Sequence, residues 1–138
     1  MSQQRRIILT ETDLERLQRL VEQHSGGHNA GLAEMLEQEL DRAQVTSSQE
    51  VPPSVVTMNS VVIYGDEETG AHRKVTLCYP WDARSDEGRI SVLAPIGSAL
   101  IGLSVGQSIA WPLPGGRTKT LRVISVLYQP EAAGDLHL

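Results

Sequence analysis

The chain has 138 residues, 40% of them hydrophobic, with a single Cys and no Phe; it is long enough to bury roughly 68% of its unfolded surface, as one ordinary domain or two small units. Twelve Lys and Arg against 17 Asp and Glu give a formal net charge of −5, which opposes a phosphate-tracking surface, so no direct nucleic-acid binding is expected and the expected partner is a protein. Cys78 alone excludes an internal disulfide, nothing approaches the roughly 18 apolar residues of a membrane span, and Ile7-Ile8-Leu9 after Arg5-Arg6 is too short for a secretory core; a soluble cytoplasmic protein is expected.

Residues 10–43 carry a helical period, with Leu14, Leu17, Leu20 and Val21 in one run and Leu32, Met35, Leu36, Leu40 and Ala43 in the next. Stripes this narrow predict a paired seam. Thr10 or Thr12 is placed to cap the first helix, because each has an acid three residues on, Asp13 or Glu15. Between the runs lies Ser25-Gly26-Gly27-His28-Asn29-Ala30-Gly31, rich in residues that break helices, so the helices are expected to turn back around Gly26, Gly27, His28 and Asn29. A first helix of about 14 residues reaches only roughly 20 Å, which makes a stubby arm whose helices would not be stable alone.

Residues 44–54 lose all periodicity and include Pro52-Pro53, which marks a boundary. The expected division is a helical hairpin over 1–47, a linker over 48–54 and a C-terminal domain over 55–138.

Beyond the boundary come alternating, β-branched segments at 55–64, 73–79, 89–93, 107–111 and 120–128, the first two joined by the polar turn Gly65-Asp66-Glu67-Glu68-Thr69-Gly70. One short helix is expected over 95–101, with Pro95 in its first turn and Gly102 or Gly106 at its exit. The fold class is therefore α+β, a hairpin followed by an antiparallel sheet packed against a short helix.

The chemistry is thinner than the architecture. Cys78 lies between Leu77 and Tyr79 in a strand segment and reads as a buried structural thiol. No nucleophile elbow or nucleotide-binding glycine fingerprint is present. His24 and His28 have metal-ligand spacing only on an unbroken helix, and Gly26-Gly27 interrupts it; Asp82, Asp86 and Glu87 lack the spacing of a calcium loop. No catalytic residue, metal or cofactor is expected. The apolar segment Leu93, Ala94, Pro95 and Ile96 leaves a strand and enters a helix at an expected corner, where exposed apolar groups would suit a partner contact.

These residues also carry a family resemblance. The stretch Ile90-Ser91-Val92-Leu93-Ala94-Pro95-Ile96-Gly97-Ser98-Ala99-Leu100-Ile101-Gly102-Leu103-Ser104-Val105-Gly106, followed by the turn Pro114-Gly115-Gly116, resembles the C-terminal signature of the bacterial Gre transcript-cleavage factors. Val56-Thr57-Met58-Asn59-Ser60, Glu39-Leu40-Asp41-Arg42-Ala43 and Tyr128-Gln129-Pro130-Glu131-Ala132-Ala133-Gly134-Asp135 resemble the regulators of nucleoside diphosphate kinase, over nearly the whole chain. The resemblance implies a coiled-coil hairpin joined to an FKBP-like domain, and binding near the secondary channel of RNA polymerase through Leu93, Ala94, Pro95 and Ile96. Gre factors carry an acidic pair at the hairpin tip that helps hold a catalytic metal, whereas residues 25–31 contain no acid. Leu93 and Ala94 stand where Gre factors often have Asp-Ser, and Gln107 where they usually have Asp. The implied function is a non-enzymatic regulator that competes with Gre-type factors without stimulating cleavage. The alternative is regulation of nucleoside diphosphate kinase, directly or through transcription. Prolyl isomerisation is not expected, since two Trp and three Tyr spread over five segments leave little to line a proline pocket.

Overall fold

The computed structural model describes residues 7–112, 115–136 and 138. Pro114 of the Pro-x-Gly turn and the first six residues of the segment 1–47, Arg5 and Arg6 among them, lie outside the described residues.

The chain opens with strand β1 (Ile8–Thr10) and helix α1 (Glu11–His24). Of the two threonines, Thr10 is the cap: its backbone is extended and its Oγ1 accepts the Asp13 N–H at 3.0 Å. Helix α2 (Ala30–Asp41) follows the glycine-rich tip and packs back on α1. Leu17, Leu20 and Val21 of α1 are buried, as are Ala33, Leu36 and Leu40 of α2, with Leu14 and Met35 partly covered beside them. The helical period of the sequence thus maps onto the seam of an antiparallel pair.

Two expectations change at the base of this hairpin. Residues 44–46 are extended, forming β2 (Gln44–Thr46), which pairs in parallel with β1 in the register Ile8↔Gln44, Leu9↔Val45 and Thr10↔Thr46. The two helices serve as the crossover that a parallel pair requires, and three residues are too few to show a period in the sequence. The hairpin is also less free than an arm. Ile7, Leu9, Leu17, Leu20, Leu36 and Leu40 belong to one hydrophobic cluster with Val56, Met58, Leu77, Ile101 and Leu103 of the following half. The connecting residues form turns, with the Val51 N–H on the Ser47 carbonyl at 3.2 Å and the Val51 side chain buried.

The second half is a five-stranded sheet of β3 (Val61–Asp66), β4 (His72–Cys78), β5 (Arg89–Ser91), β6 (Ser108–Pro112) and β7 (Thr118–Tyr128), in spatial order β5-β4-β3-β7-β6. The expected antiparallel pairing holds for β3 with β4, β3 with β7 and β6 with β7. The exception is β5, which runs parallel to β4 because two 3-10 turns, Pro80–Asp82 and Ser85–Glu87, carry the chain back before it pairs. The first strand starts six residues later than its β-branched composition suggests. Residues 57–60 form a turn instead, with Asn59 at φ 67 and the Thr57 N–H on Ser60 Oγ at 3.0 Å.

Helix α3 (Pro95–Leu100) lies against β6 and α2, so it joins the sheet to the hairpin. A last short helix, α4 (Pro130–Ala133), is capped by Gln129 Oε1, which accepts the Ala132 N–H at 3.2 Å. The same amide is buried and donates through Nε2 to the Pro52 and Val55 carbonyls, both at 2.8 Å. The C-terminal segment is thereby tied to the start of the second half. Among the described residues no helix is long and apolar enough to cross a membrane.

Candidate functional site

The corner at the start of α3 is built by backbone fit. Pro95 occupies the first helical turn, where its missing N–H costs nothing. Ser98 secures the helix with its N–H on the Ala94 carbonyl at 2.9 Å and its hydroxyl on the Val92 carbonyl at 2.7 Å. Gly97 lets the helix rest on the end of β5: a Cβ there would lie 2.1 Å from the Ser91 carbonyl oxygen. This geometry divides the four residues singled out in sequence. Leu93 is 4% exposed and belongs to the core, so it supports the corner from beneath. Ala94, Pro95 and Ile96 are half-buried, and the Ile96 side chain packs partly on the core. The available surface is therefore narrower than the sequence suggests, and Pro95 lies at its centre.

The hairpin tip lies between His24 and Ala30. Gly26, Gly27 and His28 are exposed and Asn29 is half-buried. The nearest acids, Glu22 and Glu34, are exposed on the helices themselves. At about 1.5 Å per residue, the 14 residues of α1 span roughly 20 Å.

Cys78 is fully buried, its S–H donates to the Ile90 carbonyl at 3.3 Å, and burial raises its pKa, all of which oppose a thiolate nucleophile. His24 and His28 flank the tip rather than share a helix face. Asp82, Asp86 and Glu87 are exposed, and no group of three or more His, Cys, Asp or Glu gathers as a metal site among the described residues.

The junction between hairpin and sheet holds charged groups that sequence reasoning missed. The Asp13 carboxylate is buried and accepts the Met58 N–H at 3.1 Å, so it joins α1 to the turn at 57–60. Burial raises its pKa to about 6, opposed by the Met58 hydrogen bond and by Arg16 and reinforced by the charge of Glu131. Beside it, burial and the Asp13 charge push the Tyr79 phenol up to about 12, while Arg16 holds it down. Arg16 acts on that hydroxyl, yet the buried Tyr79 oxygen closes no hydrogen bond among the described residues. Over this junction opens a cavity of about 510 Å³, lined among others by Arg16, Arg19, Trp81 and Arg89. Its sequence signal was the pair of aromatics around a proline in Tyr79-Pro80-Trp81, a poor sequence in which to bury two large rings.

The known proteins that this chain resembles match both halves. The family model described as transcription elongation factor, GreA/GreB, C-term matches residues 51–128, and that described as Rnk N-terminus matches residues 5–45. The regulator of nucleoside diphosphate kinase from Escherichia coli (strain K12) is 48% identical over 131 residues, 94% of each chain. The transcription elongation factor GreA of Sinorhizobium medicae (strain WSM419) is 33% identical over 99 residues, 72% of this chain and 62% of that one. A solved structure, the prokaryotic transcription elongation factor GreA/GreB from Nitrosomonas europaea, superposes with a TM-score of 0.70 at 41% identity, covering 91% of this chain and 100% of its own. A GreA/GreB-type C-terminal half joined to an Rnk-type N-terminus places the chain in the GreA/GreB transcription elongation factor family, and within it among the regulators of nucleoside diphosphate kinase.

Proposed function

We propose that the protein is a non-enzymatic regulator that docks on RNA polymerase near the secondary channel and competes there with Gre-type factors without stimulating transcript cleavage. The observation that carries this reading is the combination of a GreA/GreB-type C-terminal domain with a hairpin tip, residues 25–29, that has no carboxylate. Holding a divalent cation there so that water can attack a phosphodiester calls for anionic carboxylate ligands at the end of the arm. Here the arm ends in glycines, a histidine and an asparagine, and it is short. The C-terminal domain would dock through the corner at Ala94, Pro95 and Ile96, and the effect would follow from occupancy alone.

Stalled polymerase complexes with backtracked RNA test the reading. Addition of the protein alone should release no cleaved transcript, and increasing amounts should suppress the cleavage that GreA stimulates. Cleavage by the protein alone, or GreA-stimulated cleavage that saturating protein leaves unchanged, would contradict it.

A second reading rests on the name of the 48% identical relative: direct action on nucleoside diphosphate kinase. Binding to the purified kinase in the absence of any polymerase binding would replace the first reading with this one.

A further inference from the structure

The cavity of about 510 Å³ over the hairpin–sheet junction takes no part in the proposed polymerase contact. We propose that it binds a nucleoside phosphate, with the base stacked on Trp81 and the phosphates held by Arg16, Arg19 and Arg89.

Trp81 supplies the first half of the argument. It is 69% exposed, although a large aromatic left in water forfeits the free energy of burying its face. It is nonetheless held in place. One face stacks on Tyr79, with ring centroids 5.1 Å apart and planes within 3°, and Tyr79 is itself buried in the core. Trp81 lines the cavity with most of its surface in solvent, so it offers an aromatic surface on which a nucleobase can stack.

The guanidinium groups supply the second half. Arg16 and Arg19 come from α1 and Arg89 from β5, so two distant parts of the chain bring three cations to one cavity in a molecule of net charge −5. Asp82 is the acid that lines it with them. Glu15 pairs with Arg19, the Asp13 carboxyl acts on Arg16 and Asp82 shares the lining, so the cations are partly offset already and a phosphate would add bidentate contacts to them. Their present contacts leave capacity for one. Arg19 pairs with Glu15 at 3.3 Å across two well-exposed side chains, an interaction that exchanges readily. Arg16 donates one N–H to the Leu138 main-chain oxygen at 2.8 Å, and Arg89 donates its Nε–H to the Asp82 main-chain oxygen at 3.1 Å. A guanidinium has about five N–H donors, so the forks that fit phosphate oxygens remain available.

The volume falls within the roughly 300–1,000 Å³ of small-molecule sites. An apolar peptide is a poorer occupant, since Leu20 and Leu138 are the aliphatic residues of the lining. A nucleic-acid strand would need a basic track extending beyond the cavity, against the charge of the chain.

Calorimetric titration of the full chain with ADP and with GDP, with no polymerase present, tests the proposal separately from the reading above. The expected result is one site with a Kd of about 100 μM or tighter for at least one nucleotide. Adenosine and inorganic pyrophosphate should each bind at least tenfold more weakly, because each offers half of the contacts. Trp81→Ala and Arg16→Gln should each weaken binding at least tenfold while keeping the wild-type circular dichroism, and Arg122→Gln, outside the cavity, should leave it unchanged. No saturable heat from either nucleotide at about 1 mM would overturn the proposal. Binding that survives Trp81→Ala, or pyrophosphate binding as tightly as the nucleotide, would also overturn it, the latter by reducing the cavity to a plain anion site.

Discussion

Asp13 shows how much one side chain changes meaning between sequence and structure. In sequence it is the acid of a capping box. In the fold its backbone N–H takes the cap from Thr10, but its carboxylate turns inward to Met58 instead of back to the cap residue. The ionised form is desolvated there, which raises the pKa from 3.8 to about 6. A carboxyl that holds its proton more tightly folded than unfolded costs nothing below about pH 4, costs progressively more up to about pH 6, and carries its full penalty above that. Asp13→Asn keeps an acceptor for Met58 and removes the charge. Its stability relative to wild type should therefore rise between pH 4 and pH 7.5, by roughly 1–2 kcal/mol, as read by urea unfolding at each pH. Asp66 acts in the opposite sense, since the Glu68 N–H and Lys119 hold its carboxyl below the usual range and its contribution is lost as pH falls. Asp66 is common to both proteins, so the difference between them isolates Asp13. A difference independent of pH would show that the buried carboxyl is not the titrating group.

At the scale of elements, the seat of the hairpin depends on Gly102. Its φ is +81, its carbonyl accepts the Ile8 N–H at 3.0 Å, and a Cβ would lie 2.1 Å from Ile7 Cγ2. Gly102→Ala combines a left-handed backbone with a clash against a core residue and should cost about 2–4 kcal/mol of unfolding free energy. The corner of α3 answers differently. An aspartate suits the first turn of a helix, so Pro95→Asp should keep the fold while placing a charge on the proposed docking surface. Polymerase binding should fall at least tenfold with an unchanged melting temperature, and normal binding by the folded variant would move the contact elsewhere. The helices of the hairpin were legible because Leu17, Leu20, Leu36 and Leu40 repeat with the helical period and glycines mark the tip. β2 was not legible, because a three-residue strand paired in parallel leaves no pattern. The turn at 57–60 was hidden by its β-branched neighbours, since Val55 and Val56 before it are buried and Val61 after it opens β3. Leu93 was misplaced at the surface for a related reason: a strand-to-helix corner has an inner side, and an apolar run does not mark which residues face it.

Among the described residues one hydrophobic cluster spans both halves, so the hairpin is seated on the sheet domain and its reach is set by α1. The cavity at this seat escaped the sequence because Arg16 and Arg19 are far along the chain from Trp81 and Arg89, and the two pairs line one cavity only in the folded chain. Reach and tip chemistry can be separated experimentally. A Cβ at Gly26 or Gly27 meets nothing within 4 Å, so Gly26→Asp with Gly27→Asp should fold with a stability change of roughly 0.5 kcal/mol or less. If the arm is too short as well as uncharged, this acidic tip will still stimulate no cleavage in stalled complexes. Cleavage gained by the double variant would mean that residue type alone had been limiting.

The central claim is occupancy of a site shared with Gre-type factors. It is tested most directly by binding the labelled protein to purified core RNA polymerase and titrating with unlabelled GreA. The account predicts saturable binding that GreA displaces completely, with an apparent affinity that weakens in proportion to the GreA added. Binding that GreA leaves untouched, or no binding at micromolar polymerase, would contradict it.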